Sequence, residues 1–506
     1  MQKILKVSKI RTFYSMNQKQ PSKNLQLSQS EMRALSNQVM DLVIEHFEDL
    51  RSLPVVQKPA IPLPTQSISE GKELLKRQRE PIPYLATDIR CIVQQLEKDI
   101  LNQIVHTDHP RFFAFVPSPN NFVSVMADTL VSGFNVFAGT WLVGKGAAEI
   151  ERETIGWLCQ LCGLPKTAGG LFVSGGSMAN LTALATARHI KLNDQIDKAV
   201  VYFSDQTHSS VIRALKILGF PQHQLRSIPC DKDYRLSMKD VWNQVVYDRT
   251  QGNIPFCVIA NAGTTNTGAI DPLADLADFC QAENLWLHVD GAFGAAAILT
   301  DTGKKKLTGL ERADSITIDP HKWLFQPYEI GCLIVREQGT LKDTFCIMPE
   351  YLHDVNQTTE EEINYCNYGA QLTRSFRALK LWMSFKAFGV DTFSEAISWG
   401  MTLAELAEHL FQELPDWEVV SSASIGIVTF RYVPTRCSTS IDAINQQIVN
   451  QIASSGFAML STTVLKGHKV IRMCTINPST TEEDILQTII QLNDIAKSLT
   501  PSALVS

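Results

Sequence analysis

Five short apolar runs recur between residues 169 and 323: GGLFVSGG, KAVVYFSDQTH, PFCVIANAGTT, LWLHVDGAFG and ADSITIDPHKW. Segments of helical spacing separate them, and each run ends in small or polar residues. A strand with one wet face would alternate apolar and polar residues. Nearly continuous apolar runs predict strands covered on both faces, hence an α/β fold with a mostly parallel central sheet flanked by helices. In such sheets ligands gather beyond the carboxyl ends of the strands, where the polar residues of these runs lie.

The flanks read differently. Residues 1–25 form a polar, basic lead, with Met16 as an alternative start, and no secretory-type apolar core. Residues 26–121 read as an N-terminal helical and strap segment. Its first helix, SQSEMRALSNQVMDLVIEHFEDL, has Ser28 or Ser30 as cap. The extended strap PVVQKPAIPLP follows, then a helix over 87–105 and the aromatic loop HPRFFAFVPSPNN. Residues 122–385 form the large domain, and 386–506 a small C-terminal α+β domain with helices near 440–454 and 482–498.

Composition narrows the function. The net charge of −6 is spread along the chain, and the lysines of GKKKL at 303–307 read as a solvated turn, so no nucleic-acid partner is expected. Eleven cysteines, an odd and scattered set in a long chain, indicate reduced thiols and a cytoplasmic protein. CQLC at 159–162 falls on an amphipathic helix and reads as buried cysteines, with no metal site. No apolar stretch reaches membrane-spanning length.

Lys322 follows a strand-like run, SITI, where a lone ammonium is costly. The other runs end in matching pieces. Gly175 and Gly176 allow close backbone approach, and Ser177 is placed to cap a helix whose free N–H groups suit an anion. Asp290 ends an apolar strand, His208 ends another, and Thr264 and Thr265 lie in a turn after a third. An anion cradle, an acid, a flat ring and a lysine at one sheet edge are what pyridoxal 5′-phosphate requires. In that reading burial favours the neutral, nucleophilic amine of Lys322.

These motifs also resemble those of the group II pyridoxal-phosphate-dependent amino-acid decarboxylases, the family of aromatic-L-amino-acid, histidine and glutamate decarboxylases. HPRFFAF, SGGSMANL, SDQTHSS, AGTT, HVDGAFG, DPHKW and RSFRALKLW carry the resemblance, in family order, over roughly residues 90–385. It implies the fold of the PLP-dependent transferases, aspartate aminotransferase-like fold type I. It also implies that Lys322 bonds covalently to the cofactor, Asp290 pairs with the pyridine nitrogen and His208 stacks on the ring. Gly176, Ser177 and His321 would hold the phosphate, with Thr265 near the ring. A mobile loop in this family carries a catalytic tyrosine, and CIMPEYLHD at 346–354 makes Tyr351 the expected proton donor. The aromatic loop suggests an aromatic L-amino acid as substrate, with Ser118, Phe115 and Phe137 as the substrate-side residues. Acidic or diamino substrates are the alternative. An aldehyde synthase or a non-catalytic scaffold is disfavoured by the retained Tyr351 and His208. The resemblance further implies a homodimer with sites at the subunit interface. Asp319, by contrast, stands where many aromatic decarboxylases carry asparagine.

Overall fold

The computed structural model describes residues 25–56, 82–347, 362–435 and 440–500. The chain divides into two compact units, 1–53 with 59–104, and 54–58 with 105–506. In the first, Ser28 caps the helix Gln29–Asp49 through a reciprocal box: its hydroxyl accepts from the Glu31 N–H, and the Glu31 carboxylate accepts from the Ser28 N–H. Asp88 caps the second helix, Ile89–Asp99, by accepting from the Arg90 N–H at 2.9 Å. The expected helix over 87–105 is shorter, because a 3-10 turn, Leu101–Gln103, follows it.

The second unit is built on a seven-stranded sheet. In chain order its strands are β1 (Gly169–Val173), β2 (Ala199–Ser204), β3 (Leu225–Ile228), β4 (Ile254–Asn261), β5 (Trp286–Asp290), β6 (Ser315–Ile318) and β7 (Gly331–Val335). Their spatial order is β1-β7-β6-β5-β4-β2-β3. All neighbouring pairs are parallel except those made by β7, which runs antiparallel between β6 and β1. Alternate residues of β4 serve opposite faces. Cys257 and Ile259 pack with Leu184 and Ala187 of the helix Gly176–Leu192, whereas Val258 and Ala260 pack with Val241 and Leu276 from two other helices. This two-sided burial is why the runs lack alternation.

A second sheet joins β8 (Trp417–Ser424), β9 (Ile427–Tyr432), β10 (Ser461–Leu465) and β11 (His468–Cys474), all antiparallel, in the order β10-β11-β9-β8. The helices Ile441–Ser455 and Glu482–Leu499 share its core. The aromatic loop joins this sheet: the Phe113 N–H donates to the Met459 carbonyl, and its carbonyl accepts from Cys474 N–H. The 35-residue helix Ala378–Gln412 spans the expected 385/386 division and kinks at Gly389, whose φ is 75°.

One local expectation is revised and another is met. The three lysines of GKKKL lie on a short helix, Asp301–Lys306, because Thr300 caps it by accepting from the Gly303 N–H at 2.9 Å. Cys159 and Cys162 are buried in and just after the helix Trp141–Leu161, as read. Among the described residues no helix is long and apolar enough to cross a membrane.

Candidate active site

The turn after β6 is clamped from both sides. Asp319 N–H donates to the Ala292 carbonyl, Lys322 N–H donates to that of Asp319, and Trp323 lies fully buried with its ring stacked 5.1 Å from Phe293. Lys322 is thereby held at the sheet edge, its side chain 23% exposed. Its Nζ lies 3.0 Å from Asp319 Oδ2. Burial drives the Lys322 pKa down, but the charges of Asp319 and Asp290 and the Asp319 hydrogen bond outweigh it, and the net shift is upward. The expectation of a lysine neutralised by burial is therefore corrected: Asp319 partners the ammonium.

Asp319 itself is 3% exposed, and its Oδ1 has no hydrogen-bond partner among the described residues. It also backs the glycine turn. A Cβ on Gly176 would sit 2.6 Å from Asp319 Oδ2, and one on Gly331 would sit 2.5 Å from the Gly175 Cα. The glycines are required by close approach. Gly175 occupies the cap position of the helix Gly176–Leu192, so Ser177 sits inside the first turn rather than capping it. Helix geometry leaves the first N–H groups without intrahelical acceptors, which makes this turn a seat for an anion.

His321 sits beside it. Its Nδ1 donates to the Ile330 carbonyl at 2.6 Å, and its Nε2 lies 3.8 Å from Asp319 Oδ2. Burial lowers its pKa. His208 caps the helix Ser209–Ile217, its Nδ1 accepting from both the hydroxyl (2.8 Å) and the N–H (3.3 Å) of Ser210. Desolvation lowers the His208 pKa too. Asp290 closes β5, accepting from Ala292 N–H at 3.2 Å and from Asn180 Nδ2 at 2.9 Å.

Lys322, Asp290, His208, Gly176, Ser177, Thr265 and His321 line one cavity of about 400 Å³. Thr264 lines it as well, though its hydroxyl is occupied by Thr267 at 2.9 Å. Three of the expected residues lie elsewhere. Ser118 is buried and donates its hydroxyl to the His321 carbonyl, which ties the aromatic loop to the lysine turn. Phe115 is 60% exposed, while Phe112 and Phe113 are the buried members of that loop. Phe137 packs against Gly139, where a Cβ would meet its ring at 2.5 Å. Tyr351 lies outside the described residues.

The sequence reading passed over Asn180 and Ser210, which also line the cavity. Asn180 lies within the quoted SGGSMANL, and the available signal was an asparagine, a poor helix former, early in a helix. The donor set fits pyridoxal phosphate. A carboxylate stands on the floor, a turn of unsatisfied N–H groups and His321 flank one wall, and a lysine reaches the same space.

Comparison with known proteins agrees with this arrangement. The pyridoxal-dependent decarboxylase conserved domain matches residues 72–433. An aromatic-L-amino-acid decarboxylase of Bacillus atrophaeus is 51% identical over 483 residues, 95% of this chain and 98% of that one. The crystal structure of Oryza sativa TDC with PLP and tryptamine superposes with a TM-score of 0.86 at 27% identity, covering 95% of this chain and 100% of the other. Catharanthus roseus tryptophan decarboxylase in complex with L-tryptophan gives a TM-score of 0.85 at 26% identity, covering 94% and 99%.

Proposed function

The chain belongs to the pyridoxal-dependent decarboxylase family, and on that premise we propose that it converts an aromatic L-amino acid into CO₂ and the corresponding amine. The convergence of Lys322, Asp290, His208 and the Gly176 turn on one cavity carries this reading. The substrate class rests on the 51% identity to an aromatic-L-amino-acid decarboxylase along nearly the whole chain.

Pyridoxal phosphate, when bound, supplies an aldehyde carbon for an amine and a protonated ring that accepts the electrons left by departing CO₂. The chain's own residues hold and steer it. The N–H groups of Gly176 and Ser177, with His321, would bind the phosphate. Asp290 would keep the ring nitrogen protonated, since its carboxylate is fixed by two donors and can take a third. His208 would lie against the ring, and Thr265 near it. Lys322 would bond to the cofactor and give way to the substrate amine. Its ammonium must first lose a proton, and the charge of Asp319 Oδ2 at 3.0 Å opposes that loss. Tyr351 would protonate the α-carbon, a role resting on the sequence resemblance.

We assign a homodimer as the working form. Met32, Val39 and Ile44 on the helix Gln29–Asp49, and Ile92 and Leu96 on Ile89–Asp99, expose apolar side chains suited to a second copy. The ten described cysteines are free thiols, which suits the reducing cytoplasm. A screen of L-tryptophan, L-tyrosine, L-DOPA and L-phenylalanine against L-glutamate and L-2,4-diaminobutyrate tests the reading. Amine release should be fastest for an aromatic substrate, without aldehyde or hydrogen peroxide. A higher kcat/KM for an acidic or diamino substrate, or aldehyde as the main product, overturns it.

A further inference from the structure

Asn180 is 1% exposed inside the helix Gly176–Leu192, and its amide is fully occupied. Oδ1 accepts from Thr317 Oγ1 at 2.7 Å and from His288 Nε2 at 3.1 Å. Nδ2 donates to Asp290 Oδ2 at 2.9 Å and to Ser210 Oγ at 3.0 Å. The parallel register explains how these groups meet: His288 pairs with Ser315 and Asp290 with Thr317, so all four project toward one face.

The direction of these bonds is fixed by Asp290, whose carboxylate only accepts and so holds Asn180 Nδ2 toward it and Oδ1 toward His288. The Trp286 indole N–H, which can only donate, reaches Ser315 Oγ at 2.8 Å. The Ser315 hydroxyl then has its proton left for His288 Nδ1 at 2.8 Å. The Asn180 carbonyl oxygen can only accept, so His288 carries its proton on Nε2 and gives it to Asn180. At the other end Ser210 Oγ, having accepted from Asn180, donates to His208 Nδ1. One directional chain thus runs from an indole to two of the cavity's groups.

We propose that Asn180 is a positioning residue that orients the Asp290 carboxylate and fixes the His208 tautomer with its proton on Nε2. The inference rests on the reading of Asp290 and His208 as the groups around the cofactor ring. Through one amide, the acid that would meet the ring nitrogen and the imidazole that would cover the ring are set together. A flipped Asn180 would set its carbonyl oxygen against the Asp290 carboxylate, two acceptors with no proton between them, which disfavours the alternative orientation.

The test reads the tautomer directly. In the full-length enzyme labelled with ¹⁵N-histidine, His208 is assigned by its loss in His208→Gln, and no substrate is added. Wild type should show one species protonated on Nε2. Asn180→Asp keeps the shape but sets an oxygen against Asp290, and Ser315→Ala frees His288 from its donor. Both should mix the tautomers of His208, and Asn180→Asp should raise the dissociation constant for pyridoxal phosphate on the order of tenfold or more. Ser210→Ala should disturb the tautomer with a smaller effect on cofactor affinity. A wild-type His208 protonated on Nδ1 overturns the proposal, as do Ser315→Ala and Ser210→Ala proteins with the wild-type signature. Those single-hydroxyl variants decide the matter if Asn180→Asp fails to fold. Failure to release aromatic amines would instead overturn the proposed reaction and leave the tautomer result standing.

Discussion

At the scale of single residues, Asp319 changes what the active-site lysine needs. With a carboxylate 3.0 Å from Nζ, the ammonium is favoured and fewer Lys322 side chains are free amines at a given pH. Asp319→Asn removes that charge. The apo-enzyme should then take up added pyridoxal phosphate faster near neutral pH, on the order of tenfold for each unit by which the Lys322 pKa falls. Growth of the bound-cofactor absorbance across a pH series measures it, and an unchanged profile would count against the pairing. His288 offers a second test. Burial pushes its imidazole from 6.5 down to about 4, with the Asp290 charge acting in the opposite sense. As pH falls, the unfolded chain takes up this proton before the folded one. The stability gained from neutral His288 is therefore complete above about 6.5 and is lost as pH drops toward about 4. His288→Gln, which cannot bind that proton, should be less stable at neutral pH. Its urea midpoint should nonetheless fall less steeply across that window. Lys322, Asp290 and His208 were legible because each ends an apolar run. Asn180 was not, since its meaning comes from Asp290 and Thr317, 110 and 137 residues away.

Among the elements, the glycine turn between β1 and its helix is the most tightly determined. Gly176→Ala would place a methyl 2.6 Å from Asp319 Oδ2 and 3.1 Å from the Ala292 Cβ, so the turn must shift. Cofactor affinity, measured by equilibrium dialysis, should drop on the order of tenfold or more, as expected for a displaced anion cradle. The five apolar runs became β1, β2, β4, β5 and β6 because two-sided burial leaves a plain signature in sequence. Direction leaves none. GCLIV at 331–335 is as apolar as its neighbours, yet β7 runs against them. The four-residue β3, LRSI, has too few residues and too mixed a pattern to stand out. In the GKKKL segment a cap supplied by Thr300 outweighed charge repulsion and made a helix.

Across the molecule, Arg374 fastens parts that are distant in sequence. Its guanidinium donates to both oxygens of buried Glu151 and to the carbonyls of Ala138 and Phe172, and it lies 5.1 Å over the Tyr365 ring. Arg374→Met would strand the Glu151 charge in the interior. The expected loss is about 3–5 kcal/mol, read as a lower urea midpoint at an unchanged slope. The motif RSFRALKLW was visible in the sequence, but the partner was not, because no local pattern joins residue 374 to residue 151.

The position of β7 has a further consequence for the order of events during synthesis. β1 is the first strand of the large sheet to leave the ribosome, yet among the described residues its neighbour in that sheet is β7, the last. Until Gly331–Val335 has emerged, β1 waits at an open edge. The late strand inserts between the earliest one and β6, closing a contact that spans over 150 residues, the kind of nonlocal pairing that slows folding. The glycine turn and the lysine turn flank that same strand, so they come into register in the one step that completes the sheet. The anion seat and the amine therefore depend on the same strand, whose pairing must wait for residues 331–335.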